Sequence, residues 1–481
     1  MELIFEIIAK LKRYERREIK NLFKHAPFSY DKVGLLFDLV LKHPNKEENF
    51  YAQKLYGKDA DNTFRVTKSR LKRILEDEIL NDKSMTAYSA DYINKYLQSK
   101  KRLLQGEILL GRGAWKSSRN LLLQSQSKAA KYALHDIELD SLLLLSRNQS
   151  INLSATEFDK NTEELLKLNK INYLVNKAAI SHYSIKNLLS TRTIDDKEEL
   201  LSIANKIEQM EAIAQETESP KANYYFLLTK VIYLQYIGDF HEAKEFCRQY
   251  IHLIETEVAV SSEQRRASAN FQMAEIALRT AHYDEAKHYV DKTLGFLQEQ
   301  QLNYLIVLST AYRIAFKNRQ FNECHSILET AYKHPRFEAS PMRKAQWAYD
   351  KCALAFTEGD LKLANITLND ATELLNDKYG WNITFRLLEI MILFESGYTD
   401  LLDSRILNLK QFIKRAKPGS ELYRPMQLIN ILMKLHKYSL SVKRSAKTIK
   451  PLIESLMKDE KLKGSEGTEL IRLEDWLYEK L

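Results

Sequence analysis

The chain has 481 residues, of which only 13 are Gly and 8 are Pro, so about 4% of positions break helices against roughly 12% in average usage. With 44% hydrophobic and 28% charged residues, a net charge of +9 and three scattered cysteines, the composition excludes collagen, disulfide scaffolds and long disordered tails. It also argues against an α/β enzyme, whose turns need many glycines, and favours a chain built from helices. No run of about 18 apolar residues occurs, so no membrane span is expected. The start, Met1–Ile8, carries two acids and lacks the basic region and cleavage site of a signal peptide, which points to a cytoplasmic, reducing home.

Residues 1–85 form a helical head distinct from the rest of the chain. Apolar periodicity predicts helices near 2–11, 14–25, 30–42, 48–56 and 61–81, with Phe64, Leu71, Leu75 and Ile79 as one apolar stripe on the last. Arg65, Lys68, Arg70, Lys72 and Arg73 spread around its polar arc, which suits a solvated helix better than a DNA-reading one.

Residues 86–400 carry a repeat. A turn signal, Gly238-Asp239-Phe240-His241-Glu242-Ala243, recurs at Ala281–Ala286, Arg319–Cys324 and Gly359–Ala364, with an earlier copy at Gly113–Ser118. Phe240, Tyr283, Phe321 and Leu361 are spaced by 43, 38 and 40 residues. Helix starts keep the same step: Ser219-Pro220 and Ser340-Pro341 pair a cap residue with a first-turn proline, and Ser261 with Gln264 forms a capping box. Each unit is then a pair of helices. Nine residues before the aromatic turn position lie Gly106, Val231, Ala274, Tyr312 and Cys352, and three after it lie Ser118, Ala243, Ala286, Cys324 and Ala364. These mostly small residues mark where two backbones approach. The stretch from about 130 to 215 is helical but keeps no clear register.

This pattern of a small residue late in the first helix, a Gly-x-aromatic-x-x-Ala turn and a small residue in the second helix resembles the tetratricopeptide repeat, over roughly residues 95–375. The period is nearer 40 than the family's 34, and Val231, Tyr312, Tyr250 and Thr293 occupy positions that should be small. The resemblance implies an all-α, right-handed solenoid of helical hairpins with a binding groove and no cofactor. The head, through Lys54-Leu55-Tyr56-Gly57 and Ser69-Arg70-Leu71-Lys72, resembles uncharacterised bacterial helical-repeat proteins, which brings no activity with it.

Residues 401–481 are expected to form basic hairpins and a closing helix. Tyr398 and Tyr438 fall near the repeat step, Ser441, Ser445 and Thr448 suit the small positions of a last hairpin, and Leu470, Leu473 and Leu477, with Trp476 at the border, suggest a cap. Between 405 and 450 the net charge is +11, with Glu421 the lone acid, and over the last 31 residues it reverses to −3. Lys410, Lys414, Arg415, Lys417, Arg424, Lys434, Lys437, Lys443, Arg444, Lys447 and Lys450 make the basic stretch, and Pro418-Gly419 interrupts it.

No phosphate-cradling loop, zinc-protease helix, nucleophile elbow or Cys-x-x-Cys pair occurs, so no catalytic, cofactor or metal residue is assigned. Cys247, Cys324 and Cys352 fall on inward positions and read as packing residues, and His241 with Glu245 is an incomplete ligand set. The expected function is non-catalytic binding of a protein or peptide, with Asn223, Tyr224, Gln272 and Arg279 as groove contacts. The alternative is a nucleic-acid-associated regulator that uses the head or the 405–450 region. Self-association is a third expectation.

Overall fold

A computed structural model describes residues 1–24, 31–80, 91–149, 155–191, 194, 196–339, 341–369, 381–415, 423–438, 440–458 and 469–481. The described residues contain helices and no strands. The chain divides into two units, Met1–Tyr88 and Ser89–Leu481.

The first unit holds α1 (Glu2–Lys10), α2 (Arg13–Lys24), α3 (Asp31–Lys42), α4 (Glu48–Tyr56) and α5 (Asn62–Leu80). Ile4, Ile8, Ile19, Leu36, Phe37 and Tyr51 gather around α5, which buries Phe64, Leu71 and Leu75 completely. The expected stripe stops there, because Ile79 is 48% exposed while Glu78 is buried. Buried positions 64, 67, 71, 75 and 78 advance by three or four, and one more step of four from Leu75 overshoots the face. Of the basic group, Lys68 pairs with Glu48 at 2.6 Å and Lys72 with Glu76 at 3.4 Å.

The second unit begins with α6 (Asp91–Gly111), α7 (Trp115–Lys131), α8 (His135–Gln149), α9 (Ala155–Thr191) and α10 (Lys197–Thr217). Regular hairpins come next: α11 (Pro220–Ile237) with α12 (Phe240–Thr256), α13 (Glu263–Arg279) with α14 (Tyr283–Gly295), α15 (Leu302–Lys317) with α16 (Phe321–Lys333), and α17 (Pro341–Thr357) with α18 (Leu361–Asn369). Two more hairpins are α19 (Trp381–Glu395) with α20 (Thr399–Arg415) and α21 (Tyr423–Lys437) with α22 (Val442–Lys458), and α23 (Leu473–Glu479) is the last helix. Helices pack on their sequence neighbours, and first helices also touch across hairpins, α13 with α15 and α17 with α19. That nearest-neighbour stacking is a helical solenoid.

The turn between the two helices has one recurring geometry. Gly113, Gly238, Ala281, Arg319, Gly359 and Gly397 all take left-handed φ between 57° and 85°. The residue after each sends its N–H back five positions: Asp239 to the Leu234 carbonyl at 2.9 Å, Gln320 to Ala315 at 2.8 Å, Asp360 to Ala355 at 2.9 Å and Tyr398 to Leu393 at 3.1 Å. This is the Schellman closure, which satisfies carbonyls the helix end would leave open. Gly397 extends the step beyond the last sequence-evident copy, and Leu440, also left-handed, lies in the turn of the final hairpin. An L side chain there costs about 1 kcal/mol or more, which at Ala281, Arg319 and Leu440 is opposed by the main-chain hydrogen bonds that close the turn.

The small positions meet as the repeat requires. Ser118 Oγ donates to the Gly106 carbonyl at 2.8 Å, Cys324 Sγ lies 3.9 Å from the Tyr312 carbonyl, and Cys352 Sγ lies 3.3 Å from the Ala364 carbonyl. Each contact joins the residue nine before an aromatic turn position with the residue three after it, so one crossing point recurs from hairpin to hairpin. The oversized residues are accommodated: Tyr312 is fully buried and its hydroxyl donates to the Asp350 carbonyl of the next first helix at 2.6 Å.

The unregistered stretch has a plain cause. α9 runs unbroken for 37 residues, where the repeat would place two helices and a turn. Beyond residue 400 the core continues without a break: Leu388 and Met391 of α19, Leu402 and Ile406 of α20, Leu428 and Leu432 of α21 and Leu473 of α23 belong to one cluster that starts at Leu305.

At Gly106 an added methyl would lie 2.8 Å from Cδ2 and 2.9 Å from Cγ of Leu122, whose side chain is fully buried. Gly106→Ala should therefore destabilise the protein by about 1–3 kcal/mol through overpacking, even though alanine favours helix. Urea unfolding monitored by circular dichroism checks this; an unchanged or raised midpoint would contradict the close approach.

Candidate interaction surfaces

The central first helices bring together polar and aromatic side chains that are half-buried. On α11, Tyr224 packs against Tyr225 and Tyr250, with ring centroids 5.3 and 5.7 Å apart. The Arg265 guanidinium of α13 lies 4.3 Å from the Tyr224 ring centre, a cation–π contact. Arg265 is held there by its Nη1 hydrogen bond to the Val260 carbonyl at 3.1 Å, and its helix start is fixed by the Ser262 hydroxyl, which accepts from the Arg265 N–H at 3.2 Å. The cap is thus one residue beyond the Ser261 and Gln264 box expected from the sequence, and Ser261 Oγ accepts from Arg266 instead. Beside it, burial pushes the Lys221 ammonium down to about 8, opposed by the Asp136 carboxylate of α8. Tyr96 on α6 donates to that same Asp136 at 3.2 Å and accepts from Lys100 at 3.2 Å. A band of charge and aromatic surface thus crosses α6, α8, α11 and α13.

Of the four residues expected in a groove, Tyr224 lies in this band and Asn223 adjoins it, half-buried. Arg279 sits two residues before the left-handed Ala281, the register of Lys317, Thr357 and Glu395 on later hairpins. Gln272 has another role. It lies nine before Ala281 and accepts from Gln235 Nε2 of the preceding first helix at 2.6 Å. Thr310, in the same register on α15, donates to Glu275 of α13 at 2.8 Å. These contacts form a ladder that stitches first helices to each other. Tyr233 and Tyr236 likewise face α10 and the chain just before it: Tyr236 Oη accepts from the Ile194 N–H at 2.6 Å and Tyr233 Oη lies 3.4 Å from the Leu200 carbonyl.

The basic stretch separates into parts. Lys443, Arg444, Lys447 and Lys450 are exposed along α22, and Lys414 and Lys437 are exposed at the ends of α20 and α21. Lys410 and Lys434 are half-buried. The side chain of Arg415, together with Lys417 and Pro418-Gly419, lies outside the described residues. Arg424 does not belong to the surface at all. It is 8% exposed and its guanidinium holds two carboxylates, Glu469 through two bonds of 2.8 Å and Glu474 through bonds of 3.0 and 2.8 Å. A basic residue in a basic run reads as solvated; its partners lie 45 and 50 residues on, in the acidic end of the chain.

Those partners belong to a C-terminal segment that lies on the first helices of the last hairpins. The Leu470 N–H donates to Tyr349 Oη of α17 at 3.1 Å, Trp476 Nε1 donates to Glu395 of α19 at 3.0 Å, and Phe394 meets the Trp476 ring edge-on at 5.2 Å. Arg472 joins the network through Glu474, at 2.7 and 3.0 Å. Burial opposes charge on Glu474, yet Arg424 and Arg472 hold its carboxyl below the usual range. Next to this segment lies a cavity of about 680 Å³, lined in part by Phe316, Lys317, Phe356, Thr357, Asp475 and Trp476. Phe316, Phe356 and Phe394 each stand three residues before a left-handed turn residue, so the cavity and the segment share one face of the solenoid. The sequence carries one signal for this site, the opposition between the +11 stretch and the acidic end.

No set of three or more His, Cys, Asp or Glu among the described residues could hold a metal ion. All three cysteines are buried, and burial pushes each thiol up to about 12. No helix among the described residues is long and apolar enough to cross a membrane.

No family model matches the chain, and no curated protein matches it. Among solved structures the chain is similar to a Signal Transduction ATPase with Numerous Domains with a tetratricopeptide repeat sensor, from Pyrococcus horikoshii. The identity is 11% and the TM-score 0.40, over 82% of this chain and 61% of that one, so the chain spans about three fifths of that protein's length. It is also similar to NprR in complex with its cognate peptide NprX, at 13% identity and a TM-score of 0.41, over 71% of this chain and 98% of that one. At these scores the architecture rests on the helix order and turn geometry described for the fold.

One buried histidine makes the central band sensitive to acid. His182 of α9 is 3% exposed, and its Nδ1 lies 2.8 Å from Thr229 Oγ1. The Thr229 proton goes to the Tyr225 carbonyl at 2.6 Å, so Nδ1–H is the donor to Thr229 Oγ1. Burial, then the Lys186 charge, pushes the imidazole down to about 4. The unfolded chain takes up this proton near pH 6.5 and the folded one does not, so the stabilisation is complete above pH 6.5 and lost as pH falls toward 4, by about 3 kcal/mol. Comparing denaturation of wild type and His182→Gln from pH 7 to 4.5 should show a shallower decline in the variant; parallel curves would contradict a buried neutral ring.

Proposed function

We propose that this chain is a non-catalytic, cytoplasmic binding protein of the tetratricopeptide-like kind whose first-helix face holds a segment of a protein or peptide partner. The observation that carries the reading is that this face already holds polypeptide: residues 469–481 lie on α17, α19 and α21 through a main-chain N–H, a tryptophan and two carboxylates. The central hairpins offer the Arg265–Tyr224 platform, with Lys221 and Asn223 near it and Arg279 at the far end of α13. Aromatic and arginine side chains supply contact area with polar edges, which suits recognition of a peptide. Capture from native lysate with wild type and with a folded Tyr224→Ala/Arg265→Ala variant tests the assignment. A partner retained by wild type and reduced at least tenfold on the variant is the expected result, and equal retention would move the site elsewhere.

A second reading rests on Lys443, Arg444, Lys447 and Lys450, four exposed cations on one helix. If that face binds nucleic acid, affinity for a random duplex falls steeply between about 50 and 200 mM salt through counterion release. Negligible binding at low salt removes this reading.

A further inference from the structure

The segment Glu469–Leu481 is bound in an unusual manner for a terminal cap. A cap closes the last apolar face, and Leu473 and Leu477, both fully buried, do that. The remainder of its anchorage is charged and directional. Glu469 makes a two-bond pair with Arg424, Glu474 is shared between Arg424 and Arg472, and Trp476 Nε1 points at Glu395. Taking four charged groups out of water to build such a network adds little net stability compared with apolar residues of the same shape, and in some proteins such groups serve selectivity instead. The stretch before α23, Glu469 to Arg472, is non-helical and gives its Leu470 N–H to a tyrosine hydroxyl, the way a bound peptide uses its main chain. The cavity of about 680 Å³ beside Trp476 extends the same face toward Phe316 and Lys317 of α15, room that the segment leaves unfilled.

We propose that the face formed by α17, α19 and α21 is a peptide-binding site occupied in cis by residues 469–481, and that its partner is an acidic peptide segment with the same chemistry. That segment carries two carboxylates for Arg424, a leucine pair for the apolar floor and a tryptophan for Glu395 and Phe394, and it extends into the cavity beside α15. The proposal rests on the peptide-binding reading of the first-helix face and narrows it to one surface and one ligand class. Partner and C-terminal segment are then mutually exclusive occupants, so the chain carries its own competitor.

The probe is a fluorescein-labelled synthetic peptide with the sequence of residues 469–481, titrated into the full chain. Trp476→Ala weakens the cis segment and leaves Tyr349, Glu395 and Arg424 in place. The expected result is that the folded Trp476→Ala chain binds the probe at least tenfold more tightly than wild type does. A probe with both Glu469 and Glu474 replaced by Gln should lose at least tenfold in affinity for that variant. Equal binding by variant and wild type, or equal binding of the two probes, overturns the proposal. Should Trp476→Ala fail to fold by circular dichroism, hydrogen exchange on wild type decides. Amides of 473–481 exchanging at least tenfold faster than those of α17 and α19 support a displaceable occupant, and exchange in step with those helices shows a permanent cap. Failure here leaves capture through Tyr224 and Arg265 unaffected, so the two readings are separable.

Discussion

The repeat depends on a single crossing point in each hairpin, where a small residue of one helix touches the main chain of the other. Ser118 against Gly106, Cys324 against Tyr312 and Cys352 against Ala364 are the same contact in different chemistry. A hydroxyl or thiol there both fits the space and gives a weak or full hydrogen bond to a carbonyl. The closeness of the helices then dictates the turn. Two backbones that nearly touch leave room for only a short connection, and the left-handed residue with its Schellman closure is a short one that satisfies the freed carbonyls. The turn in turn fixes which residues of each first helix face outward, since every register position is counted from it.

Seen from the turn, the outward positions have different uses along the chain. Nine before the left-handed residue, side chains such as Gln272 and Thr310 bridge to the preceding first helix and hold neighbouring hairpins in step. Two and three before it, Phe316, Lys317, Phe356, Thr357 and Glu395 meet the terminal segment or the cavity beside it. The central and terminal parts of the solenoid therefore share one frame and present different chemistry on it, an arginine–tyrosine platform in one and an arginine–carboxylate network in the other.

Much of this frame is legible in the sequence, because turn glycines and crossing residues are local and recur at a step of about 40. What escapes has particular causes. Gly397 is succeeded by Tyr398 and Thr399, which give no aromatic at the expected place, so the copy reads as degraded although its backbone is not. α9 has no turn to find, and a repeat search stalls on a helix of 37 residues. Ile79 fits a spacing of four from Leu75, yet the buried face at that point has moved on to Glu78. Gln272 is readily placed on a first helix, but whether a polar side chain bridges to its neighbour or faces a groove depends on what the next hairpin offers. Arg424 is the extreme case: its meaning depends on Glu469 and Glu474, and no local pattern announces a pair 45 or 50 residues apart.

The placement of the three thiols has a practical side. Cys247, Cys324 and Cys352 are the complete set in the chain, and each is sealed within or between hairpins, with its thiolate form strongly disfavoured. Thiolates are the nucleophiles that attack maleimide-type reagents, so the native protein is close to silent toward them. A cysteine introduced at any exposed site can thus be labelled selectively with the natural three left in place. The natural three become internal reporters in turn. Cys247 answers for the α12–α13 junction, Cys324 for the α15–α16 hairpin and Cys352 for the α17–α18 hairpin. The order in which they become reactive would record the order in which the solenoid comes apart.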